Sequence, residues 1–342
     1  MFNYLNHFKK SSNIAVDLGT TNTIVAIEDE GVIFNEPSCI AVERRYGASR
    51  VVAIGKKAKA MRGKTHSSLE VISPLANGAI SDFEMTKAFM STLINILSAH
   101  ISSRPRVGIS IPQNLTQVER NSLYEATMLA GAREVILIED PFSAAVGAGV
   151  DINSSRGRMI VDCGSGLTEV SIISLSGLVT SSCSKTAGDT LDNVILEYIK
   201  HEKNLLISKD TAEQIKIKMA NLINPDTGGS YRANAKHLLN GLPVSFEITA
   251  AEVYTAIMPA IEKIKKTIVE TIANIPPQIV PDIVEDGVII TGGGALTRGF
   301  KEYLEQELKL LVHLSPDPLQ DISRGATEIL RGLQPFNRFS IK

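Results

Sequence analysis

Two short stretches of this chain repeat one another. Val16-Asp17-Leu18-Gly19-Thr20-Thr21-Asn22-Thr23 matches Val161-Asp162-Cys163-Gly164-Ser165-Gly166-Leu167-Thr168. Each follows an apolar run and precedes another, Ile24–Ile27 in the first copy and Val170–Ile173 in the second. The pattern predicts two strand–turn–strand hairpins, each with an Asp at the end of its first strand and small residues in the turn. The copies lie about 145 residues apart, whereas solenoid units recur every ~20–50 residues. That spacing suits two similar domains, each giving one turn to a shared cleft.

The chain has room for both. It has 342 residues, 44% of them hydrophobic and 21% charged, which is enough apolar material for sizeable cores. The formal net charge of -2 gives no general attraction for nucleic acid, and the lack of Trp argues against a base-stacking platform. No nucleic-acid partner is expected. Cys39, Cys163 and Cys183 lack metal-ligand spacing, and an odd count without a secretory signal fits a reducing cytoplasm. No apolar run reaches the roughly 18 residues that a membrane-spanning helix needs.

Strands are predicted at Asn13–Gly19, Thr23–Glu28, Arg106–Pro112, Glu134–Asp140, Met159–Gly164, Thr168–Ser174 and Gly287–Gly293. Thr116 with Glu119 and Thr249 with Glu252 form capping boxes, one opening a helix to about Gly131 and the other a long helix towards Ile275. Further helices are expected near Thr86–Ile101, Asp189–Asn204, Lys209–Leu222 and Gly299–Leu310, with Asp226–Gly241 as loop or hairpin. Mixed strands and helices give an α/β fold.

Small turn residues let backbone N–H groups approach phosphate oxygens, and the hydroxyls of Thr20, Thr21 and Ser165 add donors. Two such turns could grip a polyphosphate. Asp17 and Asp162 would then lie near the same phosphates, so a bridging cation is expected; Mg²⁺ held partly through water fits best. A single copy reads better as an ordinary glycine hairpin with a capping Asp, and the second copy in register reverses the balance. A third glycine cluster, Thr291-Gly292-Gly293-Gly294-Ala295-Leu296, follows the strand Val288–Ile290 and precedes a helix. Bare backbone there would let a flat nucleoside pack closely.

The stretch Ile14 to Thr23 resembles the first phosphate motif of the actin, heat-shock chaperone and sugar kinase superfamily. Its specific form is similar to the MreB family. So are Ser81-Asp82-Phe83, Gln117-Val118-Glu119-Arg120, Gly131-Ala132-Arg133-Glu134-Val135, Pro141-Phe142-Ser143-Ala144-Ala145-Val146-Gly147-Ala148-Gly149 and Thr291–Phe300. The resemblance runs to about Gly332. It implies an actin-like fold of two lobes and four subdomains, each lobe with a central mixed sheet of the ribonuclease H-like type. Lobe I would take residues 11–147 plus 317–342, with an outer subdomain at about 39–74. Lobe II would take 148–316, with an outer subdomain at about 190–245.

The same resemblance implies ATP and Mg²⁺ between the lobes. Gly19, Thr20, Thr21, Asn22, Gly164, Ser165, Gly166, Gly292, Gly293, Gly294, Ala295 and Leu296 would bind nucleotide, and Asp17 and Asp162 the metal through water. Glu213 and Lys216, on the helix containing Thr211-Ala212-Glu213-Gln214-Ile215-Lys216, stand where the family helix contacts the nucleoside. Without the resemblance they read as a solvated helix face.

Hydrolysing members of the family carry Glu-Glu-Pro where this chain has Glu139-Asp140-Pro141, and the Glu next to Pro positions the attacking water. Asp140 is one methylene shorter, and a misplacement of about 1 Å can cost roughly a hundredfold in rate. Leu167 stands where a hydroxyl is usual. Glu139 and Asp140 are the catalytic candidates, and ATP hydrolysis is expected to be slow or altered.

At the start of the chain, Met1, Tyr4, Leu5 and Phe8 share one face of a helical wheel, with Phe2 at its edge and Asn3, Asn6, His7 and Lys10 opposite. By itself that pattern suits a short helix lying in a membrane surface no better than a disordered start or a helix docked on its own protein; the family resemblance favours the first, at the cytoplasmic face of the membrane with Met1, Phe2, Leu5 and Phe8 buried in it. The function that the resemblance implies is a membrane-associated filament that maintains cell shape with cell-wall synthesis and cell-shape membrane proteins. Competing readings are a metabolic kinase, a chaperone-type ATPase, and a regulatory paralogue that co-assembles with a standard family member. No motif marks a sugar pocket or a catalytic Asp for the kinase. Too few residues follow Gly332 for a peptide-binding domain.

Overall fold

The computed structural model describes residues 11–45, 48–76 and 78–332. The chain divides into two compact units. One runs to Gly147 and resumes at Ile322; the other is Ala148–Asp321.

In the first unit a five-stranded sheet has the spatial order Glu134–Glu139, Ile101–Ile111, Ser11–Leu18, Asn22–Ile27, Gly31–Pro37. The first three strands run parallel and the last two antiparallel. Ile14, Ala15 and Val16 are all buried, as are Ile109 and Ile111. Such unbroken apolar runs are what a sheet covered on both faces requires. Helices Phe83–Ile96, Gln117–Leu129 and Asp140–Gly147 belong to this unit. The last helix, Asp321–Arg331, crosses Asp140–Gly147 where Gly325 lies against the Ser143 carbonyl, leaving no room for a β-carbon. Three strands, Ile40–Arg45, Ala48–Ile54 and Leu69–Ile72, form a separate small sheet with the helix Gly55–Met61.

The second unit repeats the plan. Its sheet runs Val312–Leu314, Val288–Thr291, Arg158–Cys163, Thr168–Ser174, Gly177–Ser184, again three parallel strands followed by two antiparallel. The internal repeat therefore extends from two turns to two whole sheets. The helix Ala250–Ala273 opens on the Thr249–Glu252 capping box and buries Val253, Ile257, Ile261, Ile264 and Ile268, a stripe at three- and four-residue spacing. A small sheet of Leu205–Leu206, Ser230–His237 and Pro243–Thr249 accompanies the helices Gly188–Lys203 and Lys209–Met219.

One expectation for an element changes, one is narrowed to a hairpin, and two strands appear where none was expected. The helix expected to reach Ile101 ends at Ile96, and Ile101 opens a strand instead, paired with Ser11. The segment Asp226–Gly241, expected as loop or hairpin, holds the first strand of a hairpin with Pro243–Thr249, in which the small Ala233 and Ala235 face inwards between exposed Arg232, Asn234 and Lys236. Strands Gly31–Pro37 and Gly177–Ser184 had no clear signal. Both lie at sheet edges, and Gly177–Ser184 is only half-buried throughout, so neither alternates cleanly.

Candidate functional site

Both repeated motifs form the same turn. Gly19 N–H donates to the Asn22 carbonyl at 3.1 Å, and Gly164 N–H donates to the Leu167 carbonyl at 2.9 Å. A β-carbon would stand 2.7 Å from that carbonyl oxygen at Gly19, which excludes one, and 3.0 Å from it at Gly164, a tight contact that favours glycine there too. The residue after each turn, Thr23 and Thr168, is fully buried. Thr168 Oγ1 donates to the Thr186 carbonyl at 2.9 Å, and Thr23 Oγ1 meets Ser38 Oγ at 2.8 Å.

The first turn is held from outside as well. Ser38 donates its backbone N–H to the Thr21 carbonyl and its hydroxyl to the Gly19 carbonyl at 2.6 Å. Thr20 Oγ1 accepts from the Gly78 N–H at 3.1 Å. Asn22 is exposed. Asp17, at the strand end beside the turn, is half-buried, and desolvation pushes its carboxyl up to about 7. Such a group gains most from a nearby cation.

The second turn collects the other predicted residues of its unit. Gly292, at φ +81°, lies against Asp162 Oδ1 and the Cys163 carbonyl, and a β-carbon on Gly294 would stand 2.8 Å from Cys163 Cβ. The third glycine cluster thus packs directly on the second motif. Thr291 anchors it by donating from Oγ1 to the Asp321 carboxylate at 2.5 Å and to the Pro318 carbonyl. Ala295 is buried and Leu296 half-exposed. Beyond the turn, Gly188 and Asp189 donate backbone N–H groups to the carbonyls of Gly164 and Ser165. Lys216 Nζ donates to the Gly188 carbonyl at 3.1 Å and pairs with Asp192 at 2.9 Å, so the helix Lys209–Met219 brings its lysine to the turn. Glu213, one turn earlier, acts on the same Asp192 carboxylate electrostatically.

Gly166 and Leu167 are buried, so the residue in place of the usual hydroxyl is packed away from water. Cys163 is buried too. Burial and the neighbouring Asp162 charge push its thiol well up, which leaves it inert.

Glu139 and Asp140 are adjacent but differently placed. Arg120 is nearly buried. Its guanidinium donates to Glu139 at 3.1 Å and to the carbonyls of Leu115 and Gln113. The Gln113 amide nitrogen, turned towards Glu139, lies 3.1 and 3.0 Å from its two oxygens. Glu139 is therefore engaged by two neighbours. Asp140 opens the helix Asp140–Gly147, where a carboxylate suits the positive end of the helix.

Four contributors were not singled out from sequence: Ser38, Gly188, Asp192 and Asp321. Asp192 left a trace, since it falls in the buried helical stripe with Leu191, Ile195 and Ile199, where a carboxylate needs a partner. Ser38, Gly188 and Asp321 gave no such signal. Met1, Phe2, Leu5 and Phe8 lie outside the described residues. Among the described residues no helix is long and apolar enough to cross a membrane, and no cluster of three metal-ligating side chains occurs.

Comparisons with known proteins converge. The profile of the MreB/Mbl protein family matches residues 11–338. The cell shape-determining protein Mbl of Bacillus subtilis (strain 168) is 38% identical over 319 residues, which is 93% of this chain and 95% of that protein. The cell shape-determining protein MreB of Escherichia coli (strain K12) is 36% identical over 324 residues, 94% and 93% of the two chains. The crystal structure of MreB5 of Spiroplasma citri bound to ADP superposes with a TM-score of 0.88 at 30% identity, covering 94% of this chain and 96% of that one. The repeated sheets, the matched turns and this agreement along nearly the full length place the chain in the MreB/Mbl family, with its actin-like fold.

Proposed function

We propose that this protein binds ATP with Mg²⁺ and assembles into actin-like filaments at the inner face of the cell membrane, where they organise cell-wall synthesis and so help determine cell shape. One observation carries the nucleotide reading: two motifs far apart in sequence close the same glycine turn, each behind an Asp, and a third glycine cluster packs on the second. The backbone N–H groups of Gly19–Asn22 and Gly164–Gly166 are the donors for phosphate, and Gly292–Leu296 is the bare backbone for the nucleoside. Glu213 and Lys216 complete that contact. Mg²⁺ fits the donor set: Asp17 is desolvated and gains from a cation, and with Asp162 it would hold the ion through water. When bound, the metal neutralises phosphate charge. The relatives add support, since they are cell shape-determining proteins and the Spiroplasma citri structure holds ADP.

Asp140 is the residue proposed to position the attacking water, because it stands next to Pro141 at the start of its helix. Its short side chain and the buried Leu167 both point to slow hydrolysis. The same two features favour a second reading, a regulatory paralogue that co-assembles with a standard family member. Copolymerisation of the two in one pelleting assay separates these readings.

The test combines nucleotide and lipid. Purified protein should bind a fluorescent ATP analogue in Mg²⁺ and lose it in chelator, pellet with ATP, and pellet with liposomes only while residues 2–9 are present. Failure to bind the analogue would end the nucleotide reading, and pelleting with liposomes after the deletion would end the membrane one.

A further inference from the structure

The first unit sends two segments out from one end. Ser11 opens its strand paired with Ile101, and residues 1–10 precede it. The register Ala15 against Ala26 carries back along the same strand and sets Glu28, the residue after Asn22–Ile27, beside its start. Arg331 Nε meets that Glu28 carboxylate at 3.0 Å, and Gly332 follows. Residues 1–10 and 333–342 therefore leave the unit close together. Both segments lie outside the described residues; the fold settles where each begins.

Their sequences share one character. Phe2, Tyr4, Leu5 and Phe8 in the first are matched by Leu333, Phe336, Phe339 and Ile341 in the second. Four of the chain's 10 phenylalanines fall in these two short segments, far more than an even spread would give. Lys9 and Lys10 accompany the first set, Arg338 and Lys342 the second, and neither segment holds an Asp or Glu. Apolar rings beside cations, without acids, suit the boundary of an anionic bilayer. Three acids at this end of the unit, Glu28, Glu30 and Glu134, face Arg331, His100 and Arg106, which weakens their repulsion of an anionic surface.

The unit offers residues 333–342 little of its own to cover. The helix Asp321–Arg331, which leads to them, lies on the sheet face to which Gly108 points, with Leu330 3.4 Å from where a β-carbon would stand. Val107 and Ile109 alternate with Gly108 and pack on the other face with Phe89 and Leu123. Among the described residues, the exposed large apolar side chains of this unit are Val52, Ile96, Val118 and Leu129. Val52 belongs to the separate small sheet, and the other three to the helices of Phe89 and Leu123 on that other face.

We infer that residues 333–342 form a second membrane contact, laying Leu333, Phe336, Phe339 and Ile341 into an anionic bilayer beside residues 1–10. The inference rests on the membrane reading above and adds to it a partner from the opposite end of the sequence. One short amphipathic segment holds a surface weakly, whereas two that emerge side by side from a rigid sheet bind with a shared effective concentration.

The chain has no Trp, so a single introduced one reports its own surroundings. With Phe339→Trp in the full chain, vesicles of phosphatidylglycerol and phosphatidylcholine should move the emission to shorter wavelength, and vesicles of phosphatidylcholine alone much less. Phe8→Trp makes the same measurement for the membrane reading itself. A further variant, Phe336→Asp with Phe339→Asp, should raise the lipid concentration for half-maximal binding about tenfold or more and leave the melting temperature unchanged. If vesicles shift the emission of Phe8→Trp and not that of Phe339→Trp, the inference is overturned and the membrane reading stands. An emission from Phe339→Trp that is already at short wavelength without lipid, and unmoved by it, would also overturn it, because residues 333–342 would then lie on the protein's own surface. If neither reporter responds and the unaltered protein binds no vesicles, the membrane reading falls and this contact with it.

Discussion

Asp17 shows what one residue concedes to a site. Its folded pKa of about 7 lies above the ordinary 3.8, so the protonated form is the one that folding favours. The stability this gives is fully present below about pH 4 and is lost as pH rises through about 7. Asp17→Asn should then leave the nucleotide-free melting temperature almost unchanged at acid pH and raise stability by roughly 1–3 kcal/mol at about pH 8, while weakening the proposed binding of Mg²⁺ with ATP. Thermal scans across that range check the sign; a stability gain largest in acid would contradict it. Gly292 makes the opposite case, a residue with no chemistry of its own. Its φ of +81° and its contact with Asp162 and Cys163 exclude a β-carbon. Gly292→Ala should cost about 2–4 kcal/mol in denaturant unfolding and displace Asp162. A neutral result would mean that the strand ends can separate freely.

Among the elements, the junction of the helix Gln117–Leu129 with the strand Glu134–Glu139 has the most at stake. Arg120 ties Glu139 to the carbonyls that precede its own helix, and both side chains are mostly buried. Removing one partner leaves the other charge without its counter-ion, which is worse than removing both. Arg120→Met should cost roughly 2–4 kcal/mol, and adding Glu139→Gln should recover part of it. A double-mutant cycle reads that coupling directly, and additive losses would show that the pair is inert. The same junction leaves Asp140 at the helix start as the carboxylate next to Pro141.

At the scale of the molecule, the second unit is one continuous segment with its own sheet and core. Met159, Val161, Ile172, Ile195, Ile257, Ile261, Ile290 and Phe300 all lie in one apolar cluster. The fragment Ala148–Asp321 should therefore fold alone and melt in a single cooperative transition by circular dichroism. A broad, non-cooperative melt would show that it depends on the first unit. The first unit invites no such experiment, because its last helix returns from the far end of the chain and packs on Asp140–Gly147.

Much of this was legible in the residues themselves. Paired Asp-Gly motifs between apolar runs specify hairpins wherever they occur, because glycine geometry and strand alternation are local. The capping boxes at Thr116 and Thr249 fixed two helix starts for the same reason. Other features had no local signature. Ser38 and Asp321 serve the turns from distant positions, and the edge strands Gly31–Pro37 and Gly177–Ser184 exist because a neighbouring strand offers its hydrogen bonds. Asp192 finds Lys216 only when two helices pack. The sequence alone determined the repeated turns and the class of fold, since those depend on short-range sterics and periodicity. Tertiary structure decided which carboxylate is tied up, which glycine admits no side chain and which leucines remain uncovered, since each of those depends on atoms brought together from far along the chain.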